Sequence, residues 1–194
     1  MSLRRRATLD TALFEGLPGG GVHLRHPQWA DYEQWAELRL SSRDHLQPWE
    51  PRWNNDHLTR GAYRTRLSRF KKMVSSDEGY PFHIFRASDN MMVGACNLTM
   101  VQRKVKQSCA LGYWIAQRHA RQGYARASVR AACRFAFERL ALHRVEAAVG
   151  LENAASRKLL ENVGFAHEGV GRGYLKIDGV WRDHDLFARL STDE

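Results

Sequence analysis

The sequence predicts a single domain of the α+β class (α/β mixed), with a mixed central sheet flanked by helices. Three observations predict it. Strand-like and helix-like stretches interleave in the order β-α-α-β-β-β-α-β-α-β-β, read from apolar residues that recur every second position or every 3.6. Two turn signals, Ser88-Asp89-Asn90 and Asp178-Gly179, each join a pair of strands into a hairpin. The length of 194 residues, with 43% hydrophobic and 26% charged, suits one packed core without repeat or internal break.

In chain order, residues 1–20 read as a basic N-terminal lead-in, loose or partly helical: Arg4, Arg5 and Arg6 precede Gly16, Pro18, Gly19 and Gly20. Residues 21–194 form the domain. Val22 to Arg25 is a short strand, and a helix opened by Pro27, Asp31 and Glu33 runs to about Ser41, with Trp29, Tyr32, Trp35, Leu38 and Leu40 near a 3.6 period. Pro48 and Pro51 break regular structure between Arg43 and Pro51. Leu58 to Ser75 is a second helix with one basic side (Arg60, Arg64, Arg66, Arg69, Lys71, Lys72), the usual sign of a solvated face. Tyr80–Ala87, Met92–Met100 and Ser108–Ala116 are strands. A long helix spans about Gly123 to Leu140, its apolar stripe made by Val129, Ala132, Cys133, Ala136 and Phe137. Arg144–Gly150 is a strand. Asn153 begins the last helix, and Gly164 ends it at the position where a left-handed residue suits glycine. Two strands close the chain around Asp178-Gly179.

Composition narrows the chemistry. Cys96, Cys109 and Cys133 show no Cys-x-x-Cys and no disulfide framework, so each reads as a small core residue in a reducing cytosol. The nine histidines lack metal-ligand spacing, and no metal is expected. No apolar run approaches the roughly 18 residues that span a bilayer, and no apolar segment follows the basic start as in a secretory signal. The expectation is a cytoplasmic protein without a membrane partner. The net charge of +9 favours an anionic partner: nucleic acid, a ribosome surface or a phosphorylated cofactor.

One stretch offers a specific anion site. Gly112-Tyr113-Trp114-Ile115-Ala116 is a strand, Gln117 to Gly123 a basic turn, and Tyr124 onward a helix. The first amides of a helix lack internal acceptors and sit at the positive end of its dipole. A phosphate or pyrophosphate fits there. Gly123 lets the backbone approach closely, and Arg118, Arg121 and Arg126 surround the turn with charge. Most glycine-bearing turns before helices are only connections, so the rest of the chain must decide.

These segments resemble the GCN5-related N-acetyltransferases. The resemblance lies in Gly112-Tyr113-Trp114-Ile115, Arg121-Gln122-Gly123-Tyr124-Ala125, Asn153-Ala154-Ala155-Ser156 and Asn162-Val163-Gly164-Phe165. Leu46-Gln47-Pro48-Trp49-Glu50-Pro51 and the ending Tyr174 to His184 are similar to the RimJ-type ribosomal-protein-alanine N-acetyltransferases. The resemblance implies a GNAT-like domain whose sheet splays between the fourth and fifth of the strands read above, with acetyl-CoA in the splay. Trp114 and Ile115 would offer backbone groups to the pantetheine arm, and Arg118 with Arg121, Gln122, Gly123, Tyr124 and Ala125 would form the pyrophosphate loop. Asn153 and Ser156 would line the other side. Where the family's loop begins with Gln or Arg, this chain has Ala120, so Arg118 or Arg121 would have to stand in.

The implied activity is that of an acyltransferase: an amine attacks the acetyl thioester. A free α-amine titrates at about 7.7–8.0 and is partly neutral near pH 7, so a weak or water-mediated base suffices for an N-terminal acceptor. Glu146 is the first candidate base, because it alternates with Val145 and Ala147 and faces away from the apolar side. Its plain alternative is a solvent-exposed or ion-paired strand carboxylate. Glu50 is second, and His184 or Asp183, on opposite faces of one strand, third. For the acid, many family members carry a tyrosine where this chain has Leu160; Ser156 remains, with helix capping as its equal alternative. Trp49, Glu50 and Tyr174 are the candidate acceptor contacts. The acceptor so implied is the N-terminal amine of an Ala-starting ribosomal protein or nascent chain, with a weak ribosome or RNA contact from the basic surface. Alternatives are a small amine or antibiotic as acceptor, or a non-catalytic ribosome- or RNA-binding assembly factor on the same fold.

Overall fold

The computed structural model of the chain describes residues 8–193. Its centre is an eight-stranded sheet in the order β1-β2-β3-β4-β5-β6-β8-β7. The strands are β1 (Ala12–Leu17), β2 (Gly20–Arg25), β3 (Tyr80–Arg86), β4 (Met92–Gln102), β5 (Ser108–Ile115), β6 (Arg144–Gly150), β7 (Ala166–Ile177) and β8 (Val180–Leu190). The helices are α1 (Tyr32–Ser41), α2 (Arg43–Leu46), α3 (Arg60–Ser75), α4 (Tyr124–Arg134) and α5 (Ala154–Asn162). Every neighbouring strand pair is antiparallel except β5 and β6. None of the helices is long and apolar enough to cross a membrane among the described residues.

Three local expectations change. Residues 12–17 form a strand paired with β2 from Ala12↔Arg25 to Leu17↔Gly20, not a loose or helical lead-in. Gly19 and Gly20, both at positive φ, make the tight turn that Pro18 introduces. Arg4, Arg5 and Arg6 lie outside the described residues. The segment from Arg43 to Trp49 is not irregular: α2 and a 3-10 turn over Gln47–Trp49 follow one another, with Pro48 near the turn's start, where its missing N–H costs nothing. The long helix ends as a π-helical turn over Phe135–Arg139, which brings Leu140 N–H to Phe135 O at 3.0 Å.

Helices cover both faces. On one, α4 and α5 bury Val129, Ala132, Cys133, Phe135 and Leu160 against Phe82, Cys96, Leu98, Val145, Ala147, Val149 and Phe187. Burial pushes the thiols of Cys109 and Cys133 up to about 12, so both are inert packing groups. On the other face, α1 and α3 pack Trp35, Leu38 and Tyr63 against Phe85, Met92 and Ala116.

The sheet's register creates the site. β5 and β6 pair only over Ser108–Ala110 with Arg144–Glu146. Beyond that, β4 holds β5 as far as Ile115, and β8 holds β6 as far as Gly150. The two strands therefore diverge, and the middle of a continuous sheet is open from Leu111 onward on one side and from Ala147 onward on the other. Gly112 is exposed although it lies in a central strand. The splay is between the strands for which it was expected.

One buried ion cluster fixes α1 to the sheet. Asp31, 3% exposed, accepts from both guanidinium nitrogens of Arg25 at 2.6 and 2.9 Å, from His83 Nδ1 at 3.1 Å and from Gln28 N–H at 2.8 Å. Burial opposes its charge, but the bonds from His83, Arg25 and Gln28 prevail and hold the carboxyl well below the usual range. A depressed carboxylate contributes stability above its unfolded pKa of about 3.9 and loses it as pH falls through the folded value. His83, lowered by burial, acts in the same direction, because acid must charge a buried ring. Stability is expected to fall on acidification, first below about pH 6.5, where burial opposes the charging of His83, and further below about pH 4, where Asp31 resists protonation. In Asp31→Asn, urea titrations across the lower range should show a flatter dependence on pH; an unchanged slope would assign the acid sensitivity elsewhere.

Candidate active site in the splayed sheet

The site has three parts, each positioned by a different element. The first is the open edge of β5. Ala116 N–H bonds Val93 O at 2.9 Å, and successive residues of a strand turn their backbone groups to alternate edges. Trp114 therefore faces β4, where its carbonyl crowds Gly94: a Cβ there would lie 2.1 Å from Trp114 O. Tyr113 and Ile115 turn their N–H and C=O into the splay. The expectation of backbone groups from Trp114 and Ile115 thus keeps Ile115 and exchanges Trp114 for Tyr113. The Trp114 side chain goes to the opposite purpose, under the Arg39 guanidinium at 5.1 Å on the α1 face.

The second part is the turn from β5 to α4. Arg121 (φ 61) and Gly123 (φ 83) are both left-handed, with Gln122 between them. The first helical bond is Ala127 N–H to Gly123 O at 3.0 Å, so the amides of Tyr124, Ala125 and Arg126 have no acceptor within the helix. A Cβ on Gly123 would meet nothing within 4 Å. This is a run of free donors at a positive helix end, the kind of group that anions accept from. The Arg118 side chain does not surround the turn as expected. Its guanidinium is bound by both oxygens of Glu37 on α1 at 2.6 and 2.7 Å, and its carbonyl accepts from Gln122 Nε2 at 3.3 Å. Arg121, exposed and at the turn itself, is the remaining candidate to compensate for Ala120.

Across the splay, Asn153 caps α5 by accepting from Ser156 N–H at 3.1 Å. The capping role belongs to Asn153, which leaves the Ser156 hydroxyl for other work. That hydroxyl lies 2.7 Å from the Tyr113 phenol, so the pair spans from β5 to α5 over the open strands. Burial pushes the Tyr113 phenol up to about 12. At neutral pH it stays protonated and can donate. Sequence reasoning missed this phenol; the signal was its place in Gly112-Tyr113-Trp114-Ile115, read there only for backbone groups. Leu160, where the resemblance suggested a tyrosine in other members, is fully buried core.

The third part is a platform on the α1 face. Gly150 and Gly171 flank His184 in the sheet. Trp49 lies over Gly150, where a Cβ would sit 3.6 Å from its ring, and Tyr174 lies over Gly171. The Tyr174 and His184 rings are 6.1 Å apart. His184 is 4% exposed, with Nδ1 3.0 Å from Arg182 O, while Asp183 on the other side accepts from Gly173 N–H at 2.7 Å. Glu50 joins this platform through its backbone: Asp178 N–H bonds Glu50 O at 3.0 Å, and Arg52 bonds the Asp178 carboxylate at 3.1 Å. The Leu46–Pro51 segment and the last hairpin are brought together. The Glu50 carboxylate, however, is fully engaged, by Arg39 at 2.5 and 2.7 Å and by Trp53 Nε1 at 2.9 Å.

Glu146 stands apart. It lies where β5 and β6 are still paired, four residues before Gly150, about 13 Å at roughly 3.3 Å per residue. Lys106 and Arg144 each hold its carboxylate at 2.9 Å. Burial opposes the charge, but those bonds outweigh it and hold the carboxyl below its ordinary range, which makes it a weaker base. The ion-paired alternative describes its surroundings.

The chain matches the family described as an acetyltransferase (GNAT) domain over residues 22–166. It is 33% identical over 178 residues to the probable N-acetyltransferase YjcK of Bacillus subtilis, covering 92% of this chain and 98% of that protein. It is 31% identical over 165 residues to the [ribosomal protein uS5]-alanine N-acetyltransferase of Escherichia coli, covering 84% and 85%. Among solved structures, RimJ of Mycobacterium smegmatis in complex with CoA-disulfide superposes with a TM-score of 0.88 at 32% identity, over 93% of this chain and 87% of that one.

Proposed function

This chain belongs to the GNAT acetyltransferase family and is an acyltransferase, and on that premise we propose that it transfers acetyl from acetyl-CoA to the N-terminal α-amine of a protein, a ribosomal protein starting with alanine. The observation that carries the donor half is the open β5 edge leading into the left-handed turn at Arg121–Gly123. It supplies what a pantetheine amide and a pyrophosphate need: strand-edge donors and acceptors at Tyr113 and Ile115, then free helix amides at 124–126. Asn153 and Ser156 line the facing wall. Acetyl-CoA supplies an acyl group already activated as a thioester.

The protein's own part is positioning and proton handling. Ser156 Oγ and Tyr113 Oη hold a proton at the splay and are placed to deliver it to a departing thiolate. Neither Glu50 nor Glu146 is a free carboxylate, so the amine's proton leaves to water, which an α-amine of moderate pKa permits. Among the described residues His184 is a candidate base on the platform with no carboxylate partner, and the Tyr174 ring stands beside it. The same engagement of Glu50 and Glu146 argues against a polyamine, which would require free acidic groups.

Tyr113→Phe and Ser156→Ala should each lower the rate of acetyl transfer by about tenfold or more, with a much smaller change in acetyl-CoA affinity. Single-turnover measurement reads the first and calorimetry the second; wild-type rates in both variants would remove the pair from the reaction. The acceptor reading is tested by thiol release with Ala-starting peptides beside spermidine, free amino acids and an aminoglycoside. Turnover of a free amine in preference to every peptide would replace it.

A further inference from the structure

A second cleft, separate from the splay, lies between the 54–59 loop and the first turns of α3. Its volume is about 410 Å³, and its walls carry Asn54, His57, Thr65, Arg66 and Arg69, with Asp56 in the exposed 54–56 stretch. Several other partly buried arginines meet carboxylates: Arg25 with Asp31, Arg39 with Glu50, Arg144 with Glu168. Arg66 does not, nor does Arg189 on β8, whose Nε is buried. Arg66 is half-buried over the Trp35 ring at 5.0 Å, and among the described residues it has no carboxylate within ion-pair distance. Arg69, one helical turn on, opens into the same cleft and is likewise without one. Two unneutralised guanidiniums in a cleft, one of them partly desolvated, are a costly arrangement that a bound anion relieves.

The cleft adjoins the acceptor platform. His57 Nε2 lies 3.3 Å from Arg39, and Arg39 holds Glu50 beside Trp49. We propose that this cleft is the subsite for one carboxylate side chain of a peptide acceptor, clamped by Arg66 and Arg69 while the amine end lies at Trp49 and Tyr174. This rests on the peptide-acetyltransferase reading above. A single carboxylate suits the cleft better than nucleic acid, because Asp56 beside it repels a run of phosphates. The guanidinium fork matches a carboxylate in two parallel bonds.

His57 reports on the subsite. Burial, then the charges of Arg39 and Arg66, lower its pKa to about 4, with Glu50 and Asp56 opposing. A carboxylate between Arg66 and Arg69 offsets those cations and raises it.

The experiment uses full-length protein and Ala-starting peptides in which one Glu is walked along the residues after the alanine, each beside its Gln counterpart. At one position Glu should lower KM about tenfold relative to Gln, with kcat unchanged. Arg69→Gln, an exposed substitution, and Arg66→Gln should each erase most of that preference without altering acetyl-CoA affinity. Equal KM values for every Glu and Gln pair, or a preference that survives both substitutions, would overturn the proposal. A second arm follows the His57 ring by NMR with N-acetylated peptides, which cannot react. The acidic peptide should shift it and raise its pKa, and the Gln peptide should not. A silent His57 would overturn the subsite, as would a shift produced by a short single-stranded RNA and not by the acidic peptide. Binding by the blocked acidic peptide with no acetylation of any free one would uphold the anion subsite and overturn the peptide-acetyltransferase reading instead.

Discussion

Gly123→Asp should lower acetyl-CoA affinity at least about a hundredfold, a loss near 2.8 kcal/mol at 1.4 kcal/mol per decade. The reason is local. Gly123 sits at φ 83 before the free amides of α4, and nothing lies within 4 Å of where a Cβ would be. A Cβ there meets no protein atom, so the substitution does not clash at that point and the fold survives. Its carboxylate instead occupies the place where the turn donates to an anion, accepts from those amides itself and repels phosphate. Gly123→Ala separates charge from backbone strain: it should cost about 1 kcal/mol in stability at this left-handed position and much less in affinity. Calorimetry with acetyl-CoA reads both. Affinity unchanged in Gly123→Asp would refute the turn as the pyrophosphate cradle.

Arg39→Met has the largest effect expected on the fold. Arg39 is 5% exposed and joins four groups: it bonds both oxygens of Glu50, touches His57, and lies over the rings of Trp53 and Trp114 at 4.2 and 5.1 Å. Removing one partner of a buried ion pair leaves the other charge uncompensated, at a cost of about 3–5 kcal/mol. Among the described residues Glu50 then keeps only the Trp53 N–H. Urea unfolding should show that loss. Acceptor KM should rise because Trp49 and Glu50 are no longer pinned beside the last hairpin, while acetyl-CoA affinity, which the proposal assigns to the β5–α4 turn, should stay as it was. Adding Glu50→Gln should recover part of the stability, since the stranded charge is then gone. Full stability in the single variant would show that the pair does not organise the acceptor loop.

What the sequence made legible, and what it did not, divides along the range of the interactions. Local chemistry was readable. Asp178-Gly179 closes the last hairpin, with both residues at positive φ, and Gly164 ends α5 at φ 83. Gly123 marks the turn because only the backbone and the dipole of the following helix are involved. β1 was not readable, because Gly16, Pro18 and Gly19 carry the composition of a loop and its partner β2 makes it a strand. Side-chain roles were readable only where no distant partner intervened. Arg118 looked free for phosphate, but Glu37 lies 81 positions away in sequence and binds it. Glu146 looked free to act as a base, but Lys106 is 40 positions distant and Arg144 turns back along its own strand. Tyr113 reaches Ser156 across 43 positions, a pair that appears only once β5 and α5 stand on either side of the splay.

The central claim joins that splay to an N-terminal amine, and one measurement addresses both halves. The protein is incubated with acetyl-CoA and a mixture of peptides that start with Ala, Ser or Met and contain internal lysines, beside free amines, and the products are mapped by fragment mass spectrometry. The account predicts one acetyl group, on the α-amine of the Ala-starting peptide, absent without enzyme and absent with Gly123→Asp. Acetylation confined to lysine side chains or to the free amines, or none with any acceptor, would contradict it.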